Sequence, residues 1–251
     1  MSKKLNVVLE AAKLGADHAL KYFDKDIKVE YKKDNTPVTI ADKEAEQIIR
    51  KQILESFPNS KFVGEEGGGS IKQEDYFVID PIDGTRHFTR GIPSWRVLIA
   101  YCENEDIKLG VSYSPFNLGT AWSEKGKGTY VDGKKSHVSS INTLANALMC
   151  HGNPKYLNPN QQQKLLNLIL SCGSSRSFDT GYAQFLVANG KIDISVDGYG
   201  EIWDIAPYKL MVEEAGGKLT NLEGKEWTFE DKGCIATNGL LHDDVVKILN
   251  K

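Results

Sequence analysis

No apolar run in the 251-residue chain approaches the roughly 20 residues that span a bilayer, so no transmembrane helix is expected. The first residues carry polar and apolar side chains at helical spacing, which is not the pattern of a secretory leader. Four cysteines, Cys102, Cys150, Cys172 and Cys234, are scattered with no Cys-x-x-Cys. That speaks against a disulfide framework and predicts buried reduced thiols and a cytoplasmic location. Cys150-His151 are adjacent, but zinc needs further partners that the spacing does not offer. Basic residues form nothing longer than pairs such as Lys32-Lys33 and Lys134-Lys135, within a net charge of −3. Nucleic acid is therefore not expected as a main partner, nor is a membrane. Repeats, low-complexity tracts and linkers are also missing. The expectation is one domain over 1–251, with close halves at about 1–140 and 141–251. Such a chain buries about three quarters of its unfolded surface without covalent staples.

What is there is a mixed α and β pattern. Leu5, Val8, Leu9, Ala12, Ala16, Ala19, Leu20 and Phe23 recur at helical spacing. A second helical stretch runs from Ala41 through Ile48 and Ile49 to Phe57, closed by Pro58-Asn59. Strand-like runs cover 28–31, 61–65, 76–80, 95–102, 107–114, 119–123 and 128–131, with hairpin turns at Gly126-Lys127-Gly128 and Asp132-Gly133. A phosphate loop at the first of these turns lacks the Lys-Ser/Thr that should follow. The second half predicts a strand near Ala145, helices over 159–170 and 185–189, a strand over 192–196 and a helix over 203–215 ended by Gly216-Gly217. A strand at 234–236 and a helix at 243–249 close the chain.

Asp80-Pro81-Ile82-Asp83-Gly84-Thr85 ends one apolar run with two carboxylates three residues apart. Magnesium takes hard oxygen ligands, and this turn offers two carboxylates, the Ile82 carbonyl and the Thr85 hydroxyl. A plain Asp-Gly surface turn is the rival reading. Three more segments carry acids: Thr39-Ile40-Ala41-Asp42, Val63-Gly64-Glu65-Glu66-Gly67 and Glu201-Ile202-Trp203-Asp204-Ile205-Ala206-Pro207. Asp42 and Asp204 each read equally as helix-start acids, with Asp204 at the N-terminus and Pro207 in the first turn. Clustered carboxylates without cations would raise one another's pKa values, a cost that divalent metals remove.

These four segments, in this order, resemble the inositol monophosphatase family of magnesium-dependent phosphatases along nearly the whole chain. The resemblance implies a layered α-β-α-β-α sandwich of the inositol monophosphatase and fructose-1,6-bisphosphatase type. It implies two or three Mg2+ ions: Glu65, Asp80 and the Ile82 carbonyl on one, Asp80, Asp83 and Asp204 on another, and Glu65 with Asp42 nearby on a weaker third. Thr85 and Asp42 would orient and deprotonate the attacking water, with Glu65 beside them, and the amides of Gly84 and Thr85 would receive phosphate oxygens. Chemistry does not separate Glu65 from Glu66; the family register selects Glu65. Lys32 matches a family lysine, and a solvated lysine is the alternative. Arg86, His87 and Arg90 offer positive charge near the entrance, although the family commonly has Asn at His87, which then reads as a core or surface histidine. Contacts to the non-phosphate part of the substrate map onto Asp179, Thr180, Gly181 and Asp197.

Acids at Asp179 and Asp197, with Gly91-Ile92-Pro93-Ser94-Trp95 and the segment Ala236 to Asp243, resemble the histidinol-phosphatase branch. Carboxylates there suit the amine of an amino-alcohol phosphate. Inositol monophosphate or a 3′(2′),5′-bisphosphate nucleotide stays open as substrate. A covalent aspartyl-phosphate route is disfavoured because its acids stand two apart, and Asp80 and Asp83 stand three apart. A non-catalytic metal or sugar-phosphate binding module is the remaining rival. The resemblance also implies a homodimer and inhibition by lithium.

Overall fold

The computed structural model describes residues 1–32, 36–70, 75–178 and 180–250. The chain opens with α1 (Lys3–Ala19), capped by the Ser2 hydroxyl, then a ribbon of β1 (Glu30–Tyr31) and β2 (Pro37–Val38), then α2 (Ile40–Ser56). A seven-stranded sheet follows in chain order: β3 (Lys61–Gly64), β4 (Tyr76–Asp83), β5 (Arg96–Glu103), β6 (Asp106–Tyr113), β7 (Ala121–Glu124), β8 (Gly128–Val131) and β9 (Lys134–Ser136). Only the β3–β4 pair in it is parallel. One helical turn, α3 (Thr85–Phe88), separates β4 from β5. The second half builds β10 (Leu148–His151), α4 (Pro159–Ser171), β11 (Ser174–Arg176), α5 (Thr180–Ala188), β12 (Ile194–Asp197), α6 (Ile202–Glu214), β13 (Lys218–Thr220), β14 (Cys234–Thr237) and α7 (His242–Asn250). Its five strands order as β11-β10-β12-β14-β13.

The layers alternate as expected. Helices α1 and α2 lie on the outer face of the large sheet, α6 packs against strands of both sheets with α5 beside it, and α4 and α7 cover the far face of the small sheet. Strand alternation explains why β4 and β5 read as continuous apolar runs. Phe77, Ile79, Val97 and Ile99 enter the core under α1 and α2, whereas Val78, Leu98 and Ala100 enter the core shared with α6. A strand buried on both faces loses its polar period.

The boundaries differ in places from the expectation. The strand expected over 28–31 is reduced to Glu30–Tyr31. Residues near Ala145 form a 3-10 turn at Leu144–Asn146, and the strand starts at Leu148. Pro207 lies inside α6, past its first turn. Cys102, Cys150 and Cys234 are buried free thiols, whereas Cys172 is half-buried where α4 ends. Both hairpin turns form, and Asp132-Gly133 carries φ values of 48° and 76°, the left-handed pair a two-residue turn needs. Among the described residues no helix is long and apolar enough to cross a membrane.

His242 starts α7 with 1 % of its surface exposed, its ring held between the Thr220 hydroxyl at 3.1 Å and the Thr237 hydroxyl at 3.0 Å. Burial, aided by the nearby Lys218 ammonium and opposed by Asp243, lowers its pKa from 6.5 to about 4. The folded value lies below the unfolded one. Stability from this group is therefore full above pH 6.5 and drains as pH falls towards 4, by up to about 3 kcal/mol. His242→Gln should flatten the acid side of a Tm-against-pH curve. An unchanged slope between pH 7 and 4.5 would refute it.

Candidate active site

In a regular strand, residues three apart point to opposite faces. Asp80 and Asp83 do not obey this because β4 bulges between them. Asp80 stands opposite Leu98 and Asp83 opposite Arg96, so three steps on β4 match two on β5. The extra residue turns both acids to one side. Pro81 sits inside the bulge, where its missing N–H costs no ladder bond. Asp80 Oδ1 accepts the Ile82 N–H at 2.9 Å, which fixes the carboxylate. Gly84 then takes φ 92° and starts α3 at Thr85. That left-handed step favours glycine.

The other acids arrive on helix starts. Asp204 is the third residue of α6 and accepts the Glu201 N–H at 2.7 Å in a reciprocal capping box. Asp42 occupies the same place in α2, where its Oδ2 accepts the Thr39 N–H at 2.7 Å and the Thr39 hydroxyl at 2.6 Å. Its Oδ1 accepts from the Thr85 hydroxyl at 3.2 Å, and the same hydroxyl reaches the Ile82 carbonyl at 3.1 Å. Glu65 follows β3, its amide held by the Ile79 carbonyl at 3.1 Å. Lys32 donates to Glu65 at 2.8 Å and to Glu66 at 2.6 Å.

Ligand oxygens of Asp80, Asp83 and Asp204 all lie within 4.8 Å of one another. Asp80 is held well above the usual carboxylate range by burial first, then by the charges of Glu65, Asp204 and Asp83. Burial and Glu65 lift Asp204 to about 7, although its cap bond to Glu201 opposes this. Burial lifts Asp42 to about 6 against the stabilising bonds from Thr39. The donor set is all oxygen and rich in carboxylates that resist ionising together. It fits a hard divalent cation better than zinc or a soft metal.

Other expected residues are placed as follows. Glu65 lies outside the trio whose oxygens are mutually within 4.8 Å and is bonded to Lys32, yet its charge is the largest of those that raise Asp80 and Asp204. Gly181 leans on the site: a Cβ there would stand 2.0 Å from Asp83 Oδ2. Thr180 begins α5, and Asp179 lies outside the described residues. Asp197 ends β12, buried, with Gly152 pressed against its carboxylate. His87 is half-buried and bonded to Ser94 at 2.6 Å, a tie across its own loop, while Arg86 and Arg90 are exposed. Cys150 accepts the Phe178 amide, and His151 faces the Gly152 carbonyl.

One neighbour escaped the sequence reading. Arg96 is fully buried behind Asp83, donating from Nε to the Ser112 hydroxyl at 2.5 Å and stacking over Phe185 at 4.2 Å. The same Ser112 hydroxyl meets the Tyr208 hydroxyl at 2.7 Å. In sequence Arg96 is the second residue of the run over 95–102, and nothing there marks it as internal.

The model of the inositol monophosphatase family matches residues 1–251. The chain belongs to this family. Among its relatives, a histidinol-phosphatase of Mycobacterium tuberculosis is 34% identical over 232 residues, covering 90% of this chain and 89% of that protein. A fructose-1,6-bisphosphatase/inositol-1-monophosphatase of Thermotoga maritima is 34% identical over 219 residues, covering 85% and 82%. The solved inositol monophosphatase of Thermotoga maritima superposes with a TM-score of 0.91 at 29% identity, covering 99% of this chain and 97% of its own. Membership in the inositol monophosphatase family makes the chain a phosphoric monoester hydrolase.

Proposed function

We propose that the chain is a magnesium-dependent phosphatase of a small alcohol phosphate, with water as the attacking group. The observation that carries the reading is the meeting of Asp80, Asp83 and Asp204 beside the Thr85–Asp42 hydrogen bond. In this reading Glu65, Asp80 and the Ile82 carbonyl hold one Mg2+, and Asp80, Asp83 and Asp204 hold a second. Glu65, with Asp42 nearby, holds a weaker third. When bound, these ions supply Lewis-acid stabilisation of the phosphoryl charge and lower the pKa of water. The unit is the whole of 1–251, since its first half brings Asp42 to Thr85 and its second brings Asp204.

The Thr85 hydroxyl has one proton and two acceptors. Once the Ile82 carbonyl is engaged, Asp42 Oδ1 is the acceptor left. Thr85 then presents its lone pairs to a water, and Asp42, near pKa 6, takes up the released proton through Thr85. The amides of Gly84 and Thr85 receive phosphate oxygens. By family register, Asp179, Thr180, Gly181 and Asp197 are assigned to the alcohol part of the substrate. Thr85→Ala should lower kcat by about 10²-fold or more and leave calorimetric Mg2+ affinity near wild type. Equal turnover would remove Thr85 from this role.

For the substrate, two acidic positions favour an amino-alcohol phosphate such as histidinol phosphate, in keeping with the Mycobacterium tuberculosis relative. Inositol-1-phosphate is the second reading, favoured by the Thermotoga maritima relatives. The enzyme is proposed to act in the cytoplasm as a homodimer. Phosphate release from histidinol phosphate, inositol-1-phosphate, fructose-1,6-bisphosphate and adenosine 3′,5′-bisphosphate, each with Mg2+ and with chelator, tests the reading. Release that needs Mg2+ and is fastest on histidinol phosphate supports it. Mg2+ binding with no release from any ester would leave a binding module.

A further inference from the structure

Helix α2 carries a buried acid that the proposed chemistry does not use. Glu46 is 2 % exposed and stands one turn after Asp42, with Arg50 one turn further on. Its Oε2 accepts the Glu66 N–H at 2.8 Å and its Oε1 accepts the Gly67 N–H at 3.0 Å. Arg50 donates from Nε to Glu46 Oε1 at 2.7 Å and from Nη2 to the Gly68 carbonyl at 3.1 Å. Its guanidinium also lies 5.1 Å from the centre of the Phe62 ring. The turn gripped in this way is the one that carries Glu65. Gly64 and Gly68 close it with two mutual backbone hydrogen bonds.

The grip is close enough to dictate residue type. A Cβ on Gly64 would fall 2.2 Å from Glu46 Oε1, and one on Gly67 would fall 2.5 Å from both Glu46 Oε1 and Arg50 Nη2. The glycines flanking Glu65-Glu66 therefore make room for the clamp. An exposed Glu-Arg pair at i, i+4 would contribute little. This one accepts two backbone amides from a distant segment in a buried setting, where charge-assisted bonds are strong.

We infer that Glu46 and Arg50 are positioning residues that lock the Glu65 turn onto α2 and thereby set the site's affinity for its divalent cation. One helix face then fixes two catalytic distances. Asp42 meets Thr85 from its first turn, and the next turn holds the backbone beside Glu65. The inference rests on the proposed role of Glu65 in metal binding, and it concerns residues that touch neither ion nor substrate. Partners that orient metal ligands from behind typically change affinity by about 10–100-fold when removed.

The test compares Glu46→Gln and the milder Arg50→Met with Ile53→Val, a core trim on the same helix. Mg2+ affinity is read by titration calorimetry, amide exchange at Glu66 and Gly67 by mass spectrometry, and the Mg2+ activation constant separately from kcat. Glu46→Gln should weaken Mg2+ binding by about 10-fold or more and speed exchange at those amides. Arg50→Met should act in the same direction to a smaller degree, and Ile53→Val should leave both readings near wild type. Wild-type Mg2+ affinity in both Arg50→Met and Glu46→Gln, or the same weakening in Ile53→Val, would overturn the inference. If Glu46→Gln fails to fold, Arg50→Met decides alone. Wild type that binds Mg2+ but releases no phosphate would defeat the phosphatase reading, while the calorimetry would still judge the clamp.

Discussion

Asp83→Asn and Asp204→Asn are each expected to abolish phosphate release while the protein stays folded. Loss of one group that stabilises an oxyanion costs about 10²–10³-fold in rate. A carboxylate that holds an ion and balances its charge should cost at least that much. Structure gives the reason the fold survives. Asn at 204 keeps an oxygen to accept the Glu201 N–H that Asp204 accepts at 2.7 Å, so the start of α6 stays capped. Asn at 83 keeps the volume that Gly181 packs against. In chelator at pH 8 Asp204→Asn should melt at or above the wild-type temperature, because it removes one member of a cluster of like charges. Activity above about a tenth of wild type, more than the loss of even one oxyanion donor leaves, would show that these carboxylates are not essential ligands.

The acids were legible in the sequence because each also serves its own helix or turn. Thr39-x-x-Asp42 and Glu201-x-x-Asp204 are capping boxes, so a local signal marked residues that folding then gathers. The same duplication kept the functional role ambiguous, since a cap explains each acid alone. The bulge was not legible. A spacing of three in a strand implies opposite faces, and only the pairing of β4 with β5 reveals the extra residue. Missed strands have a common cause. Lys134–Ser136, Ser174–Arg176 and Lys218–Thr220 form β9, β11 and β13, which are edge strands of the two sheets. Edges are short and polar, so they carry little hydrophobic period. Glu46 and Arg50 went unremarked in the sequence, because the partners of Glu46 are backbone amides 20 and 21 residues away.

The stabilisation that Mg2+ confers should grow steeply with pH. Asp204 is raised from 3.8 to about 7 and Asp42 to about 6, and Asp80 is raised well above 3.8. An acid whose folded pKa exceeds its unfolded one leaves the folded state with more protons. Stability is then full below about pH 4, falls as pH rises, and is lost once pH passes the folded value. For Asp204 alone the span of about three units corresponds to about 4 kcal/mol at most, or roughly 10 °C in Tm for a chain of this size. Ion binding requires the same carboxylates to be ionised, so it removes this penalty and strengthens as protons leave. The difference in Tm between Mg2+ and chelator should therefore be small at pH 5.5 and large at pH 8. His242 titrates alike in both buffers and cancels from that difference. Asp204→Asn should flatten the dependence by deleting an acid that the fold raises to about 7. A difference that is the same at pH 5.5 and pH 8 would mean that the buried acids of this site do not bind the ion.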